Sequence, residues 1–324
     1  MKGYTVDIIS KSKDLPPLKS SLLFHSPDYF RIVEETPGHR PIMAIVKDEH
    51  GHVVAHLTAI IRRRGSLFPP FLFSQGRIYG EGEYAEDTDK EELFGLMLKA
   101  ITRVFRRKLC LYAEFSELSA KMFGYRHFRS NGYTPVTWQE IHNSLHSKAP
   151  EERLTEKAQQ RLIKAETGGA EQAIAATTDD VHSFYKLLKR NFRTKFRRFI
   201  PPEQLFLQLW KAERCKIFLT RFKGKTIGGC ACVYSNADAY LWFLAAKRKT
   251  FHNQYPDTVS VWQAIKYAHT NGYRHIRFLD VGLPYEQNTF RDFILSFGGK
   301  PVSKFRWFCF FIPWLNSILR RFFR

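Results

Sequence analysis

The chain has 324 residues, enough for two domains of ordinary size, and a 44% hydrophobic content without low-complexity tracts excludes a disordered or fibrous protein. Lys and Arg outnumber Asp and Glu by 51 to 31, and the net charge of +20 points to partners that carry negative charge: nucleic acid, nucleotide-linked substrates or anionic lipid. The five cysteines are odd in number and form no C-x-x-C pair, which argues against a disulfide scaffold or zinc ribbon, so reduced core thiols and no metal are expected.

The first residues, M-K-G-Y-T-V-D-I-I-S-K, lack the apolar run of a secretory leader. No apolar stretch of about 18 residues predicts a membrane span, and a cytoplasmic chain is expected. Residues 4–9 alternate as a strand, and Ser26-Pro27-Asp28 starts a short helix. Two β-rich runs at 41–46 and 53–61, joined by the polar turn 47–52, predict a hairpin. An extended segment at 67–73 and a Gly- and acid-rich loop at 74–89 are expected next. Thr88 or Asp89 then caps a helix over 90–107, whose stripe is Leu93, Phe94, Met97, Ile101, Val104 and Phe105. A strand at 109–115 ends near Glu114.

A polar connector at 147–152 leads to a helix at 156–166, a strand at 173–176 and a helix opened by Asp179-Asp180. A second hairpin spans 216–234, a strand 240–246, and a long helix 258–270, with Gly272 suited to its left-handed end. Next come a strand at 275–279, Asp280 at its end, a polar loop, a short helix at 288–296 and a last strand. Shifting the sequence by 166 residues lays Ser130, Gly132, Pro135 and Val136 on Ser296, Gly298, Pro301 and Val302, and Glu114 on Asp280. Helix, strand and turn keep one gap-free register, which reads as a duplicated domain and not as a solenoid.

The tail has a pattern of its own. Trp314, Leu315, Ile318, Leu319, Phe322 and Phe323 form one helical stripe, and Asn316, Ser317, Arg320, Arg321 and Arg324 form the other face. That composition suits a helix lying in an anionic membrane surface, so 305–324 is expected to touch one.

Each copy resembles a GNAT-type acyltransferase domain, and the pair resembles the Fem-type aminoacyltransferases, which add amino acids to a peptidoglycan precursor, and their BioF2-like relatives. The resemblance rests on K-T-I-G-G at 225–229, A-I-K-Y-A-H-T-N-G at 264–272, F-L-D-V-G at 278–282 and F-I-L-S-F-G-G-K-P-V at 293–302. The expected fold is therefore α/β. Two tandem GNAT-like domains, 1–148 and 149–304, each have a mixed, mostly antiparallel sheet flanked by helices, and the amphipathic tail 305–324 follows. The sequence departs from the bridge-forming members where they carry Phe-Lys-x-x-Phe-Gly: the lysine position is Ile294 here, with Arg291 or Lys300 as candidates to replace its charge. The long helical arm of some members is also missing.

The resemblance implies acyl transfer to an amine, which needs a base, a polarised carbonyl and a hold on the donor's phosphates. Asp280 is the first candidate for base or amine orienter, with Glu286 and Tyr285 in the same loop. Candidate substrate-binding residues are Arg193, Lys195 and Arg198 in the basic, aromatic-interleaved stretch 185–199, then Trp242, Lys247, Arg291 and Lys300. In copy one, Arg77-x-x-Gly80-x-Gly82 has the letters of a phosphate loop. In copy two, the equivalent loop carries Lys247-Arg248-Lys249. No tightly bound cofactor is expected; the co-substrate is acyl-CoA or an aminoacyl-tRNA. The acceptor is an amine of a peptidoglycan precursor, amino sugar or amino lipid, at the inner face of the membrane, with tRNA a further partner. The rival reading is a non-catalytic protein that keeps the fold and binds nucleic acid or an anionic membrane.

Overall fold

The structure, a computed structural model, describes residues 3–66, 69–119, 123–193 and 199–322. It divides into two compact units, 1–137 together with 305–324, and 138–304.

In the first unit, β1 (Thr5–Ile9) lies antiparallel to β2 (His39–Lys47), which follows α1 (Pro27–Glu35). β3 (Val53–Gly65) and β4 (Leu72–Tyr79) continue the meander, and the short β5 (Glu83–Tyr84) returns on β3. α2 (Lys90–Arg107) then crosses over to β6 (Cys110–Ser116), which runs parallel to β4. The Asp89 carboxylate accepts the Glu91 and Glu92 amides at 3.0 and 3.1 Å, so the expected cap is in place. Of the α2 stripe, Leu93, Phe94, Met97, Ile101 and Phe105 are buried, and Val104 is partly buried against the same core. A Cβ at Gly76 of β4 would stand 2.6 Å from the Phe105 ring, so glycine there is what lets the helix lie on the strand. α3 (Tyr125–Ser130) and β7 (Thr134–Ser144) follow, and β7 enters the second unit at Trp138.

The second unit holds α4 (Glu156–Thr167), β8 (Glu171–Ile174), α5 (Thr178–Phe192), α6 (Glu203–Lys211), β9 (Cys215–Phe222), β10 (Lys225–Ser235) and β11 (Asp238–Ala246). Then come α7 (Pro256–Thr270), β12 (His275–Phe278), α8 (Thr289–Leu295) and the start of β13 (Lys300–Phe310). β8 to β11 form an antiparallel ladder, β12 is parallel to β11, and β7 pairs antiparallel with β12. α7 packs Trp262, Ala264 and Ile265 against Ile276 and Phe278. From Phe305 the chain is again part of the first unit: Arg306–Phe310 pair with Ser116–Tyr112 of β6, and α9 (Pro313–Phe322) follows. Trp307 is fully buried there, stacked on Phe128 at 4.2 Å, and its Nε1–H donates to Glu117 at 2.8 Å.

The duplication is visible in the element starts: α2 begins at Lys90 and α7 at Pro256, β7 at Thr134 and β13 at Lys300, each pair 166 residues apart. Three features differ from expectation. The units meet the chain at 137/138 and 304/305, not at 148/149, and 305–324 is built into the first unit. β4 occupies 72–79, where a loop was expected from 74, because Gln75 and Arg77 are polar strand residues buried in side-chain pairs. Helices α3 and α6 carry no sequence expectation. All five cysteines are buried, and none is in a disulfide.

Candidate functional site

The site begins with two parallel strands that part. In the second unit β11 and β12 are paired over four residues, Asp238 with His275 through Leu241 with Phe278. β11 then runs on to Ala246, while the chain after Phe278 leaves as a loop. On its other side β11 keeps pairing with β10, but the register jumps from Cys232–Leu241 to Ala231–Phe243. Trp242 is thus the extra residue of a β-bulge, placed at the rung where β12 departs. A bulge bends its strand and raises its twist, which helps the two strands diverge.

Beyond this point lies a cavity of about 630 Å³ lined wholly by residues of the second unit. Leu244 and Ala246 of β11 give it an apolar wall; Arg190 and Phe192 close it from α5, and Asn288 and Phe290 from α8. The loop after β11 contributes Lys247, Arg248, Lys249 and Thr250, and the loop after β12 contributes Asp280. Four cations therefore face one carboxylate. Arg248 is partly neutralised by Asp257, at 2.6 Å, and its guanidinium lies over Phe293. Lys247 Nζ donates to the Thr226 carbonyl at 3.3 Å. The balance stays positive, as a site for a phosphate-bearing ligand requires.

The Asp280 loop is held by its own side chains. Gly282 has φ 90°, and a Cβ there would meet Asn288 at 2.5 Å. Asn288 donates to the Val281 carbonyl and accepts the Phe290 and Arg291 amides as the cap of α8. Arg291 donates to Gln139, to the Leu283 carbonyl and to the Glu286 carbonyl. It thereby ties the loop to Gln139 of β7.

Of the other expected residues, Lys247 and Asp280 line the cavity, and Trp242 marks the strand parting. Tyr285 and Glu286 project to solvent, Tyr285 at 70% exposure, and are absent from the cavity wall. Arg193 and Lys300 are exposed and also lie outside it. Lys195 and Arg198 fall outside the described residues. Ile294, at the lysine position of the bridge-forming enzymes, is fully buried in the core and brings no charge. Arg190 and Phe290 were not singled out as site residues; the basic run that contains Arg190 was the signal.

The matching place in the first unit is closed. β4 and β6 stay paired to the end of β4, where Tyr79 faces Ser116. Across that pairing Glu114 meets Arg77 at 3.3 Å and Arg306 at 3.4 Å, and accepts from Gln75 at 2.9 Å. Burial alone would raise its pKa; Arg77, Arg306, Arg62 and Arg64 outweigh that and hold it at about 2. The Arg77-x-x-Gly80-x-Gly82 segment is no phosphate cradle. Arg77 is buried in the Glu114 pair, Gly80 N–H donates to the Ser116 carbonyl, and Gly82 N–H donates to His25 Nε2. Glu81 beside them is a buried carboxylate, raised to about 7 by burial and by Glu117. Among the described residues no cluster of His, Cys, Asp and Glu could hold a metal ion.

Two α/β units, each with a crossover helix joining parallel strands, define the tandem GNAT fold. Residues 152–287, most of the second unit, match the acetyltransferase (GNAT) domain family. A crystal structure of FemX is similar at a TM-score of 0.64 and 10% identity, over 92% of this chain and 94% of that one. The C-terminal domain of a putative lysylphosphatidylglycerol synthetase from Agrobacterium fabrum gives 0.55 and 11%, over 91% and 92%. A tandem GNAT protein from the clavulanic acid biosynthesis pathway gives 0.58 and 8%, over 95% and 99%. At these identities the likenesses establish the fold. No curated protein sequence matches the chain.

Proposed function

We propose that this chain is an N-acyltransferase whose working centre is in the second unit, with acyl-CoA as donor and an amine of a cell-envelope molecule as acceptor. The observation that carries this reading is the parting of β11 and β12 at Leu241 and Phe278 beside a cavity that joins four cations, an apolar wall and Asp280. Arg190, Lys247, Arg248 and Lys249 hold the donor's phosphates, and Leu244 and Ala246 border its acyl arm. Asp280 orients the acceptor ammonium and takes its proton. The amine then attacks the thioester carbonyl, the C–S bond breaks, and the departing thiolate takes up the second proton that the new amide nitrogen sheds.

Ile294 favours acyl-CoA over aminoacyl-tRNA, because the bridge-forming enzymes' lysine is replaced by a buried apolar side chain. The acceptor class is supported by the fold shared with FemX and the lysylphosphatidylglycerol synthetase domain. The test is a thermal-shift comparison of acetyl-CoA, longer acyl-CoAs, charged tRNA and a UDP-linked muropeptide, followed by thiol-release assays with amine acceptors. Stabilisation by acyl-CoA and amine-dependent thiol release are expected. Stabilisation by charged tRNA alone would replace the donor, and no response to any donor would return the chain to the non-catalytic reading.

A further inference from the structure

Most of the large apolar side chains exposed among the described residues lie at one end of the first unit. Strand pairing shows this directly. β3 ends and β4 begins there, with Gly65 opposite Leu72, and the Ser66 N–H closes the tip on the Phe71 carbonyl at 2.8 Å. Ser74 opposite Cys110 brings the start of β6 to the same end, and with it Leu109 at the close of α2. β13 finishes there as well, with Phe310 opposite Tyr112 and the Phe311 N–H donating to the Leu111 carbonyl, and α9 follows at once. Phe71, Leu72 and Leu109 stand out from this end, Leu109 at 86% exposure. Leu109 also has φ 53°, in the region where glycine or asparagine is less strained, so local backbone needs do not explain a leucine there.

α9 is anchored to the first unit through Asn316. Asn316 Oδ1 accepts the Phe310 N–H at 3.1 Å, and its Nδ2 donates to the Gly132 carbonyl at 3.0 Å. Trp314, two residues away and about 200° round the helix, is 63% exposed, and Phe322 is 79% exposed with Ile318 between them in the i, i+4, i+8 line. An amphipathic helix that packed its apolar stripe on its own domain would bury Trp314, Ile318 and Phe322. Exposed cations flank the apolar residues: Arg106, Arg107 and Lys108 at the end of α2, and Arg320 and Arg321 on α9. Glu34, which lines a cavity together with Lys108, accepts the Ser12 N–H and pairs with Lys11.

We infer that this end of the first unit is a docking face for an anionic phospholipid bilayer, with Trp314, Ile318, Phe322, Leu109 and Phe71 entering the interface and the cations meeting the headgroups. Apolar anchors ringed by Lys and Arg match the two attractions such a surface offers, burial and charge. The inference goes beyond the acyl-donor reading. Its readout is sedimentation, so a chain that binds acyl-CoA but no vesicle refutes this proposal alone.

The test mixes the full chain with phosphatidylcholine vesicles, with and without about 30% phosphatidylglycerol, the anionic lipid supplying the surface charge. Co-sedimentation with the anionic vesicles only is expected, together with quenching of tryptophan fluorescence by brominated lipid that Trp314→Phe removes. Leu109→Glu with Phe322→Glu is expected to lower the bound fraction ~10-fold or more at unchanged melting temperature, since both side chains are exposed. Arg107→Glu with Arg321→Glu is expected to weaken binding as well. Equal binding by these variants, equal binding to neutral vesicles, or no binding at all would overturn the proposal. Self-association in solution that the same variants abolish would assign the face to a second copy of the chain and overturn it too.

Discussion

Leu241 is paired with Phe278, and that rung is the last of the parallel ladder between β11 and β12. Asp280 lies two positions beyond it. In the first unit the corresponding ladder runs to Tyr79 and Ser116 at the end of β4, and Glu114 is locked across it. One copy is open where the other is closed, which is why the proposed reaction is placed in the second.

Asp280→Asn is expected to lower kcat by ~10²- to 10⁴-fold, the usual worth of a positioned base. Donor affinity, measured by calorimetry on the same protein, should stay within about twofold because the phosphates are held elsewhere. A loss of donor binding equal to the loss of rate would make Asp280 part of the donor site instead.

Lys247→Ala with Lys249→Ala should do the opposite. Each charged hydrogen bond to a phosphate is worth about 1.5–3 kcal/mol, so donor Kd should rise at least ~10-fold while the rate at saturating donor changes little. The wild-type Kd should also rise between low and moderate salt, and less so in the variant. A salt-independent Kd would remove the cations from the site.

Arg291 tests the loop clamp. Arg291→Ala frees the Gln139, Leu283 and Glu286 partners. It should lower kcat through a misplaced Asp280, with donor Kd unchanged; Arg291→Lys, which cannot reach all three, should rescue only part of the rate. Full activity in the alanine variant would show that the loop holds itself.

Two carboxylates give the first unit opposite pH responses. Glu114 is depressed from 4.5 to about 2, so its contribution is complete above pH 4.5 and is lost as pH falls towards 2. Glu81 is raised from 4.5 to about 7, so the unit is favoured below pH 4.5 and loses that advantage as pH rises through 7. Each window spans about 3 kcal/mol at ~1.4 kcal/mol per pKa unit. Glu81→Gln should therefore raise the melting temperature at pH 8 and leave it nearly unchanged at pH 4.5. Glu114→Gln, which leaves the buried arginines without their carboxylate, should cost ~3–5 kcal/mol at pH 7. Calorimetric scans of both variants at the two pH values check the signs.

The sequence shows Asp280 and Lys247 because both sit where a strand opens into a loop, and strand ends follow from the alternation before them. It shows the α2 stripe and its Asp89 cap for the same local reason. Tyr285 and Glu286 share the Asp280 loop, but the direction of a loop side chain depends on the Gly282 and Asn288 geometry, which no periodicity encodes. That Arg291 donates to the Leu283 and Glu286 carbonyls depends on the same loop path and has no sequence signal. β4 is hidden because Gln75 and Arg77 have the composition of a loop and the burial of a core. The parting of β11 from β12 is set by the register of two strands 37 residues apart, Asp238 to His275, and is legible only in three dimensions.

The last strand also imposes an order on the birth of the molecule. Residues 138–304 are contiguous and complete as soon as they leave the ribosome, whereas the first unit still waits for Arg306–Phe310 to cover β6 and for Trp307 to fill the space against Phe128. At ~5–20 residues synthesised per second, that wait is about ten seconds or more after residue 137 is made. During it, β6 stands as an uncovered edge in a half-built sheet, a surface that other nascent chains can pair with. The chain made first is thus finished last.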